Sequence, residues 1–282
     1  MHDRRRPPPR PAPADRPPAG RGRPEGGARN APEPSGDRLE GRNVVLEALV
    51  RKRRKVLKIW LDAAAKVGAD PGDKVRQIIE LGGARVLRVD RQMLDRMSVT
   101  GVHNGVIAEA EPFPEMTVSE AIETAIRGGR DACFVLVDEV QYEHNLGAIL
   151  RSSLGAGVDA VIIPVQRGKG ITPVVHRVSM GGAEAVPVVR EGISSALAQL
   201  HRAGFLIVGA DMDGAAPWDL PLSGCVAFVL GGEDKGLTDP VRKRCDHIVG
   251  VPLAGGLESL NVSVTAGVLL FELVRQQAAR SG

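Results

Sequence analysis

The sequence contains few aromatic residues, few cysteines and no long apolar run. Aromatic residues make up 3% of the 282 positions, as five Phe, two Trp and one Tyr. Proteins that stack single-stranded bases on aromatic side chains need several such rings, so this composition disfavours that class. The three cysteines, Cys133, Cys225 and Cys245, are widely spaced and odd in number. This pattern argues against a disulfide framework or a zinc site, and it predicts a reducing compartment and no bound metal.

Membrane and export signals are also missing. No stretch reaches the roughly 18 consecutive apolar residues that a membrane helix requires. The first ten residues, MHDRRRPPPR, contain no apolar segment of the kind that secretion signals carry. Residues 1–38 hold five acids and a single serine, which is unlike a transit peptide. We therefore predict a cytoplasmic protein without membrane contact.

The formal net charge of +3 is unevenly distributed along the chain. Residues 1–38 hold nine arginines, no lysine, five acids and ten of the 20 prolines, whereas the other 244 residues carry 28 basic and 29 acidic groups. A segment of this composition cannot bury enough apolar surface to fold, so it predicts a disordered tail. Two interpretations stay open, an electrostatic arm for nucleic acid or an arginine- and proline-rich segment without a dedicated role.

Strand and helix patterns divide the rest of the chain into two ordered parts. Residues 39–112 predict a small α/β domain. Residues 113–130 contain two prolines and then a helical pattern, which predicts a linker helix. Residues 131–282 alternate continuous apolar strands with helices, the first of them predicted over 147–155, and this predicts a parallel sheet covered on both faces. The predicted strands of this second domain are ACFVLVD, DAVIIPV, AVPVV, FLIVGAD, CVAFVLG and HIVGVPL.

Three of these strands end in segments that are rich in polar residues and glycine. In open parallel sheets, ligands bind beyond the carboxyl ends of the strands. The three segments are EVQYEHNLGAILRSSLGAG with Asn145 and Arg151, GGEDKGL with Gly231 and Glu233, and AGGLESLNVSV with Ser259, Leu260 and Asn261. Each polar residue alone has a structural explanation, such as a helix N-cap for Asn145 or a solvated face for Arg151. Three such segments at strand ends of one sheet predict a ligand site.

The glycine-rich loops do not match the common nucleotide-binding motifs. GGEDKG does not fit GxGxxG, and the GKG at 168–170 lacks the GxxxxGK[ST] spacing of a phosphate-binding loop. The sequence also contains neither HExxH nor GxSxG. These absences disfavour a dehydrogenase, an NTPase, a zinc protease and a serine hydrolase.

The stretches NLGAILRSSLGAG, VLGGEDKGL and VPLAGGLESLNVSVTAGVLLFE resemble, in order and spacing, the three motifs of the SpoU/TrmH branch of the SPOUT methyltransferases. The resemblance extends over residues 131–279 and includes VSMGGAEAVPV between the first two motifs. It implies a C-terminal SPOUT domain with a parallel sheet and a deep trefoil knot, formed by the chain from about Phe228 to Asn261. The segment HNGVIAE resembles the end of the family's substrate-binding domain, which is related to ribosomal RNA-binding proteins, although Asn104 departs from the usual His-Gln-Gly.

The resemblance implies an enzyme that methylates ribose 2′-hydroxyls in RNA with S-adenosylmethionine. The domain order is similar to that of members that act on a guanosine of 23S rRNA, so this RNA or a large-subunit assembly intermediate is the first expected substrate. DNA is not an expected partner, and a homodimer formed through the C-terminal domain is. Two alternatives remain, a tRNA 2′-O-ribose methyltransferase of the same family and a non-catalytic RNA-binding factor of ribosome assembly.

The same resemblance assigns roles to individual residues. The residues that match the family's catalytic motif positions are Asn145, Arg151, Glu233, Ser259 and Asn261. Arg151 is implied to act at the 2′-hydroxyl, with Glu233 as the carboxylate that holds its guanidinium. The residues that match cofactor-binding positions, through main-chain groups, are Gly231, Val251 and Leu260. We expect glycine at position 231 because the backbone there has to approach the adenosine closely.

The part of the chain that follows the tail is nearly neutral, which limits how this protein attracts RNA. The 244 residues after the tail have no surplus of positive charge, so RNA affinity depends on local basic patches rather than on global attraction. The densest such patch is RKRRK, Arg51–Lys55, in the small N-terminal domain. We expect this cluster, more than the tail, to contact RNA.

Overall fold

The computed structural model describes residues 37–138, 142–165, 170–232, 236–257 and 259–281. Contacts group all of these residues into one unit. The predicted tail lies outside the described residues up to position 36. Asp37 and Arg38, which the sequence assigned to the tail, instead begin an ordered strand, because they pair with Ala110 and Glu109 of a later strand. No helix among the described residues is long and apolar enough to cross a membrane.

The N-terminal domain is a four-stranded mixed sheet with helices packed against it. Its elements are β1 (Asp37–Glu40), α1 (Arg42–Arg51), β2 (Val56–Asp62), α2 (Lys74–Gly82), β3 (Val86–Val89), α3 (Arg91–Met97) and β4 (Val106–Ala110). The strand order is β1-β4-β2-β3, with β2 and β3 parallel and β4 antiparallel to its neighbours. The core of this domain includes Leu39, Val45, Ile59 and Ile78, which bring α1 and α2 onto the sheet. Asp73 and Asp90 cap α2 and α3 by accepting backbone N–H bonds.

The C-terminal domain contains the predicted parallel sheet. Its strands are β5 (Cys133–Val137), β6 (Ala160–Ile163), β7 (Val188–Arg190), β8 (Leu206–Ala215), β9 (Val226–Leu230) and β10 (His247–Val249). Their order is β10-β8-β9-β5-β6-β7, and the six described strands pair in parallel throughout. All six coincide with predicted strands, because continuous apolar runs of this length are buried on both faces of a parallel sheet.

Helices cover both faces of this sheet. They are α4 (Val118–Arg127), α5 (Glu143–Ala156), α6 (Pro173–Val178), α7 (Gly182–Ala185), α8 (Ile193–Arg202), α9 (Asp239–Arg242) and α10 (Val262–Ser281). Phe134 and Leu136 of β5 face the side of α4 and α8, whereas Val135 and Val137 face the side of α5 and α10. This alternation is the two-residue period of a strand with apolar neighbours above and below.

The helix after the small domain is part of the C-terminal core. The sequence predicted a linker helix at this position, and the predicted α4 is present, closed by a capping box between Thr117 and Glu120. Val118 and Ala121 are buried in the same cluster as Phe134, however. The helix is therefore packed onto the C-terminal sheet and does not bridge freely between the domains. The four-residue α7 was not predicted, because its sequence GAEA is too short for a helical period to show.

Candidate functional site

Two of the three predicted segments leave neighbouring strands of the C-terminal sheet. β5 and β9 are adjacent, with Val137 opposite Leu230, and the Asp138 N–H donates to the Leu230 carbonyl at 3.0 Å. The third segment follows β10, which is separated from β9 by β8. It reaches the first segment through helix α10, which packs along α5. The three segments therefore share one edge of the domain, and strand order alone does not explain their proximity.

A hydrogen bond joins the first and third segments. The side-chain amide of Asn261 donates to the side-chain oxygen of Asn145 at 3.1 Å. The other side-chain atom of Asn261, Oδ1, accepts from the backbone N–H of Ser263 at 2.9 Å and from its hydroxyl at 2.6 Å. Asn261 therefore caps the start of α10 and at the same time fixes Asn145.

The position of Asn145 differs from the prediction. The sequence predicted a helix over 147–155 with Asn145 at its start, an N-cap being the structural alternative for this residue, but α5 begins at Glu143 with Tyr142 at the N-cap position. Asn145 lies inside the first turn, where its side chain is free to project sideways and meet Asn261. The prediction was wrong because the polar residues of YEHN do not show a helical apolar period, although the turn forms as the continuation of α5.

Arg151 lies on the exposed surface of α5. Its guanidinium forms no hydrogen bond or ion pair with any residue that the structure describes. The backbone around it is tightly packed, because a Cβ atom on Gly182 would come within 2.5 Å of the Leu150 carbonyl oxygen and 3.0 Å of the Arg151 nitrogen. The α6–α7 segment thus holds the turn of α5 that presents Arg151. Glu233, the predicted carboxylate partner, lies outside the described residues.

Gly231 is required by a close turn of the chain itself. A Cβ atom at this position would approach the Leu237 nitrogen to 2.5 Å. The loop that follows is closed by two backbone hydrogen bonds between Gly232 and Gly236, at 3.0 and 3.1 Å, and Gly236 has a φ of +61°. We expected the glycine at 231 because a bound adenosine would lie against it. The structure supplies a different reason, which is contact between the strand end and the returning loop.

The remaining predicted residues lie in the loop between β10 and α10. Val251 and Leu260 are half-buried, Ser259 is exposed, and Gly255 and Gly256 have φ values of +71° and +75°. The main-chain N–H groups of Val251 and Leu260 have no hydrogen-bond partner within the described part of the chain. Half-buried main-chain donors without partners suit a ligand that is held by backbone groups, so these residues fit the implied cofactor.

Part of the RKRRK cluster is engaged in contacts within the protein. Arg54 is buried, with a side-chain exposure of 1%, and its guanidinium bonds to Glu184 of α7, which is equally buried, and to Asp37. Arg53 donates to the Glu184 carbonyl at 3.3 Å and, like Arg54, lies over the ring of Phe113. Arg53 and Arg54 therefore join the two domains, and the buried Arg54 is not available to RNA. Arg51, Lys52 and Lys55 are exposed, so contact between this part of the cluster and RNA stays a prediction.

A neutral histidine completes this buried cluster. His176 of α6 is 1% exposed and lies 3.2 Å from a Glu184 carboxylate oxygen through Nδ1, without the geometry of a hydrogen bond. Burial, with the nearby charge of Arg54, lowers the pKa of His176 to about 3. Burial also raises the pKa of Glu184, against the lowering effect of its hydrogen bond to Arg54. Sequence reasoning missed Glu184 and His176 because nothing local distinguishes a buried ion-pair partner from a solvated helix residue.

The described residues contain no candidate metal site. In the ranges that the structure describes, no three His, Cys, Asp or Glu side chains are grouped so that they could hold a metal ion. The three cysteines are free thiols. Burial raises the pKa of Cys133 far above its usual value and that of Cys245 to about 11, so both are protonated and unreactive near neutral pH.

Comparison with known proteins identifies two family domains in the chain. Residues 132–271 match the SpoU rRNA Methylase family, and residues 38–116 match the RNA 2'-O ribose methyltransferase substrate binding family. The chain is similar to the putative TrmH family tRNA/rRNA methyltransferase YacO of Bacillus subtilis, with 32% identity over 254 residues, 86% of this chain and 96% of the relative. It is 37% identical over 199 residues to the 23S rRNA (guanosine-2'-O-)-methyltransferase RlmB of Coxiella burnetii, which covers 70% of this chain and 79% of the relative.

A solved structure has the same fold. The SpoU methyltransferase AviRb of Streptomyces viridochromogenes, crystallised in complex with the cofactor AdoMet, matches with a TM-score of 0.71. The match covers 87% of this chain and 91% of AviRb at 22% sequence identity. The parallel sheet and the domain that precedes it are therefore shared between the two proteins.

Proposed function

Because the chain belongs to the SpoU family of RNA methylases, we propose that it transfers a methyl group from S-adenosylmethionine to a ribose 2′-hydroxyl of 23S rRNA, with a guanosine as the target nucleoside, in the cytoplasm. The observation that carries this proposal is the Asn145–Asn261 hydrogen bond, which joins the first and third motif segments. AviRb, which has the same fold, binds AdoMet, and RlmB is named for the guanosine reaction on 23S rRNA.

The cofactor site is proposed at the ends of β9 and β10. Gly231, Val251 and Leu260 would hold S-adenosylmethionine through main-chain groups, and the N–H groups of Val251 and Leu260 have no partner within the described part of the chain. The sulfonium of this cofactor supplies an already activated methyl group, so the protein needs to contribute mainly alignment of the reactants and handling of the proton. A site built from backbone groups and positioned side chains, without metal, is sufficient for this chemistry.

Arg151 is the residue that we place at the reacting hydroxyl. A guanidinium remains protonated in proteins, so it is unsuited to remove a proton. It can instead orient the ribose and stabilise the charge that develops on its oxygen, while a substrate phosphate or a water molecule accepts the proton. Glu233 is proposed to hold the guanidinium, and Asn145, Asn261 and Ser259 are proposed to position the loops around it.

The two remaining proposals concern the chain path and the assembly. A deep knot formed by residues 228–261 agrees with very close backbone crossings, since a Cβ atom on Gly250 would lie 2.6 Å from the Asp211 carbonyl oxygen. A homodimer through α10 agrees with the exposed ring of Phe271. Leu269 and Leu273 on the same helix, in contrast, are buried in the core of the domain.

The proposed function is tested by methyl incorporation. Purified protein and labelled S-adenosylmethionine are incubated separately with 23S rRNA, 16S rRNA, total tRNA and a large-subunit assembly intermediate. The modified nucleotide is then mapped by its resistance to alkaline hydrolysis. We expect one 2′-O-methylguanosine in 23S rRNA. Labelling of tRNA alone would instead support the tRNA alternative. No labelling of any RNA, including an assembly intermediate, would favour a non-catalytic assembly factor.

Removal of the tail tests whether it takes part in catalysis. The truncation has to end at residue 36, because Asp37 bonds to Arg54 and Arg38 donates to the Met97 carbonyl at 2.6 Å. We expect methyl transfer at about 0.15 M salt to change less than twofold, since attraction by tail charges is screened beyond about 8 Å. A large loss of turnover at this salt concentration would instead identify the tail as an RNA-binding arm.

A further inference from the structure

A cavity of about 820 Å³ lies where the N-terminal domain meets the end of α6. Residues of both domains line it, with Arg177 and Met180 contributed by the C-terminal domain. The basic side chains in the lining are Arg42, Lys66, Lys74, Arg91 and Arg177, and the acidic ones are Glu40 and Asp62. This is a concentration of positive charge in a chain whose ordered part is close to neutral.

The two carboxylates of the lining are already engaged. Glu40 accepts hydrogen bonds from Ser98, Val99 and Thr100, and although burial opposes it, these bonds lower the pKa of the Glu40 carboxyl. Asp62 accepts from the Ala64 N–H at 2.9 Å and lies 3.7 Å from the Arg91 guanidinium. The two carboxylates therefore offset only part of the positive charge of the five basic side chains in the lining.

The start of α1 also faces this cavity. Gly41 occupies the N-cap position and has no side chain to accept a hydrogen bond, and the first turn contains no acidic residue. The N–H groups of Asn43 and Val44, both in the lining, have no hydrogen-bond partner among the residues described. Free N–H groups at the positive end of a helix favour an anion.

Arg177 provides a second, independent group in the lining that can bind an anion. Its Nε atom is buried and has no hydrogen-bond partner in the described chain, and its guanidinium forms no ion pair there. A buried donor of this kind usually has a partner, because desolvation without a hydrogen bond is unfavourable. The covered Nε cannot itself reach an anion in the cavity, but the guanidinium it belongs to lines the cavity and forms no hydrogen bond with a described residue, so its terminal N–H groups are available to one.

We propose that this cavity binds a phosphodiester group of the RNA substrate and holds it between the two domains. Arg177 and the N-terminus of α1 would contact the phosphate directly, and Lys74, which bonds to the Asn43 side chain, would add charge at the rim. The α6–α7 segment that carries Arg177 also packs, through Gly182, against the turn of α5 that presents Arg151. A phosphate held here therefore sets the distance between the RNA backbone and the residue placed at the 2′-hydroxyl.

The inference rests on the proposed function and is tested by RNA affinity as a function of salt. Binding of a 23S rRNA transcript is measured by filter retention for the wild type, Arg177→Gln and Lys74→Gln between 50 and 200 mM salt. The matched controls are Arg202→Gln and Lys243→Gln, which remove exposed charges outside the lining. We expect the Kd for RNA to rise about tenfold in Arg177→Gln. The slope of log K against log salt concentration should become shallower by about 0.7 for each phosphate contact that is lost. The controls should match the wild type.

Failure of the cavity proposal and failure of the proposed function give different results. If both cavity variants bind RNA with the affinity and the salt slope of the wild type, the cavity proposal is wrong, even if the wild type methylates RNA. A wild type that methylates no RNA would overturn the proposed function, whatever its binding shows. Lys74 is exposed, so its variant keeps the test valid if Arg177→Gln unfolds. Saturation of the cavity by inorganic phosphate at millimolar concentration, with no loss of RNA binding, would identify a small-anion site and overturn the RNA assignment.

Discussion

Arg151→Ala is expected to reduce methyl transfer to RNA by about a hundredfold or more, because a preorganised charged donor at the reacting oxygen contributes on this scale. Arg151 is exposed on α5 and forms no ion pair with a described residue, so its loss leaves the fold intact. S-adenosylmethionine affinity, measured by calorimetry, is expected to stay close to that of the wild type, because the proposed cofactor contacts are main-chain groups of other loops. Turnover is measured with labelled cofactor and the RNA that the wild type modifies.

The controls for this variant separate charge from geometry. Arg151→Lys keeps the charge but loses the planar fork of donors, so we expect it to recover only a small part of the activity. Arg202→Ala, at another exposed helical arginine, should behave as the wild type. Full turnover by Arg151→Ala would show that this arginine has no role in the reaction. A loss of S-adenosylmethionine affinity equal to the loss of turnover would place Arg151 in the cofactor site instead.

Glu184→Gln is expected to destabilise the protein by about 3–5 kcal/mol, because it leaves the buried charge of Arg54 without its main partner. Both side chains are 1% exposed, so water cannot replace the lost ion pair. His176 cannot compensate, because its low pKa keeps it neutral and it offers no negative charge. The free energy of unfolding is measured by urea denaturation, followed through the fluorescence of Trp60, which is buried in the N-terminal domain.

An exposed ion pair on α1 provides the matched control. Arg51 and Glu47 of α1 form an i,i+4 pair with side-chain exposures of 47% and 30%. Arg51→Gln is expected to change stability by less than about 0.5 kcal/mol, as solvent-exposed pairs usually do. Equal effects of Glu184→Gln and Arg51→Gln would show that the buried cluster does not stabilise the contact between the domains.

A double replacement distinguishes a lost charge from lost packing. Arg54→Met combined with Glu184→Leu removes both buried charges together, and apolar replacement of a buried ion pair is often neutral. We expect this variant to recover most of the stability that Glu184→Gln loses. If it does, the cluster acts mainly to select one orientation of the two domains. That orientation is what brings Arg177 and the start of α1 to the same cavity.

The strands of the C-terminal sheet were predictable because their signal is local. Runs such as CFVLV and VAFVL are apolar at every position, and short runs of this kind are typical of strands buried on both faces of a parallel sheet. The start of α5 was not predictable in the same way. Its first turn is polar, and the contact that uses it, from Asn145 to Asn261, joins residues 116 positions apart.

The sequence by itself determined the alternation of strands and helices, the three polar segments at strand ends and the residue types available for chemistry. Only the tertiary structure decided which charges are free. Arg54 reads as part of a basic patch, yet it is buried because Glu184, 130 residues away, meets it across the domain contact. Arg177 reads as an ordinary helix residue, yet its Nε is left without a partner beside a cationic cavity. The physical reason is that burial and pairing depend on residues distant in the chain, whereas periodicity and composition report only on neighbours.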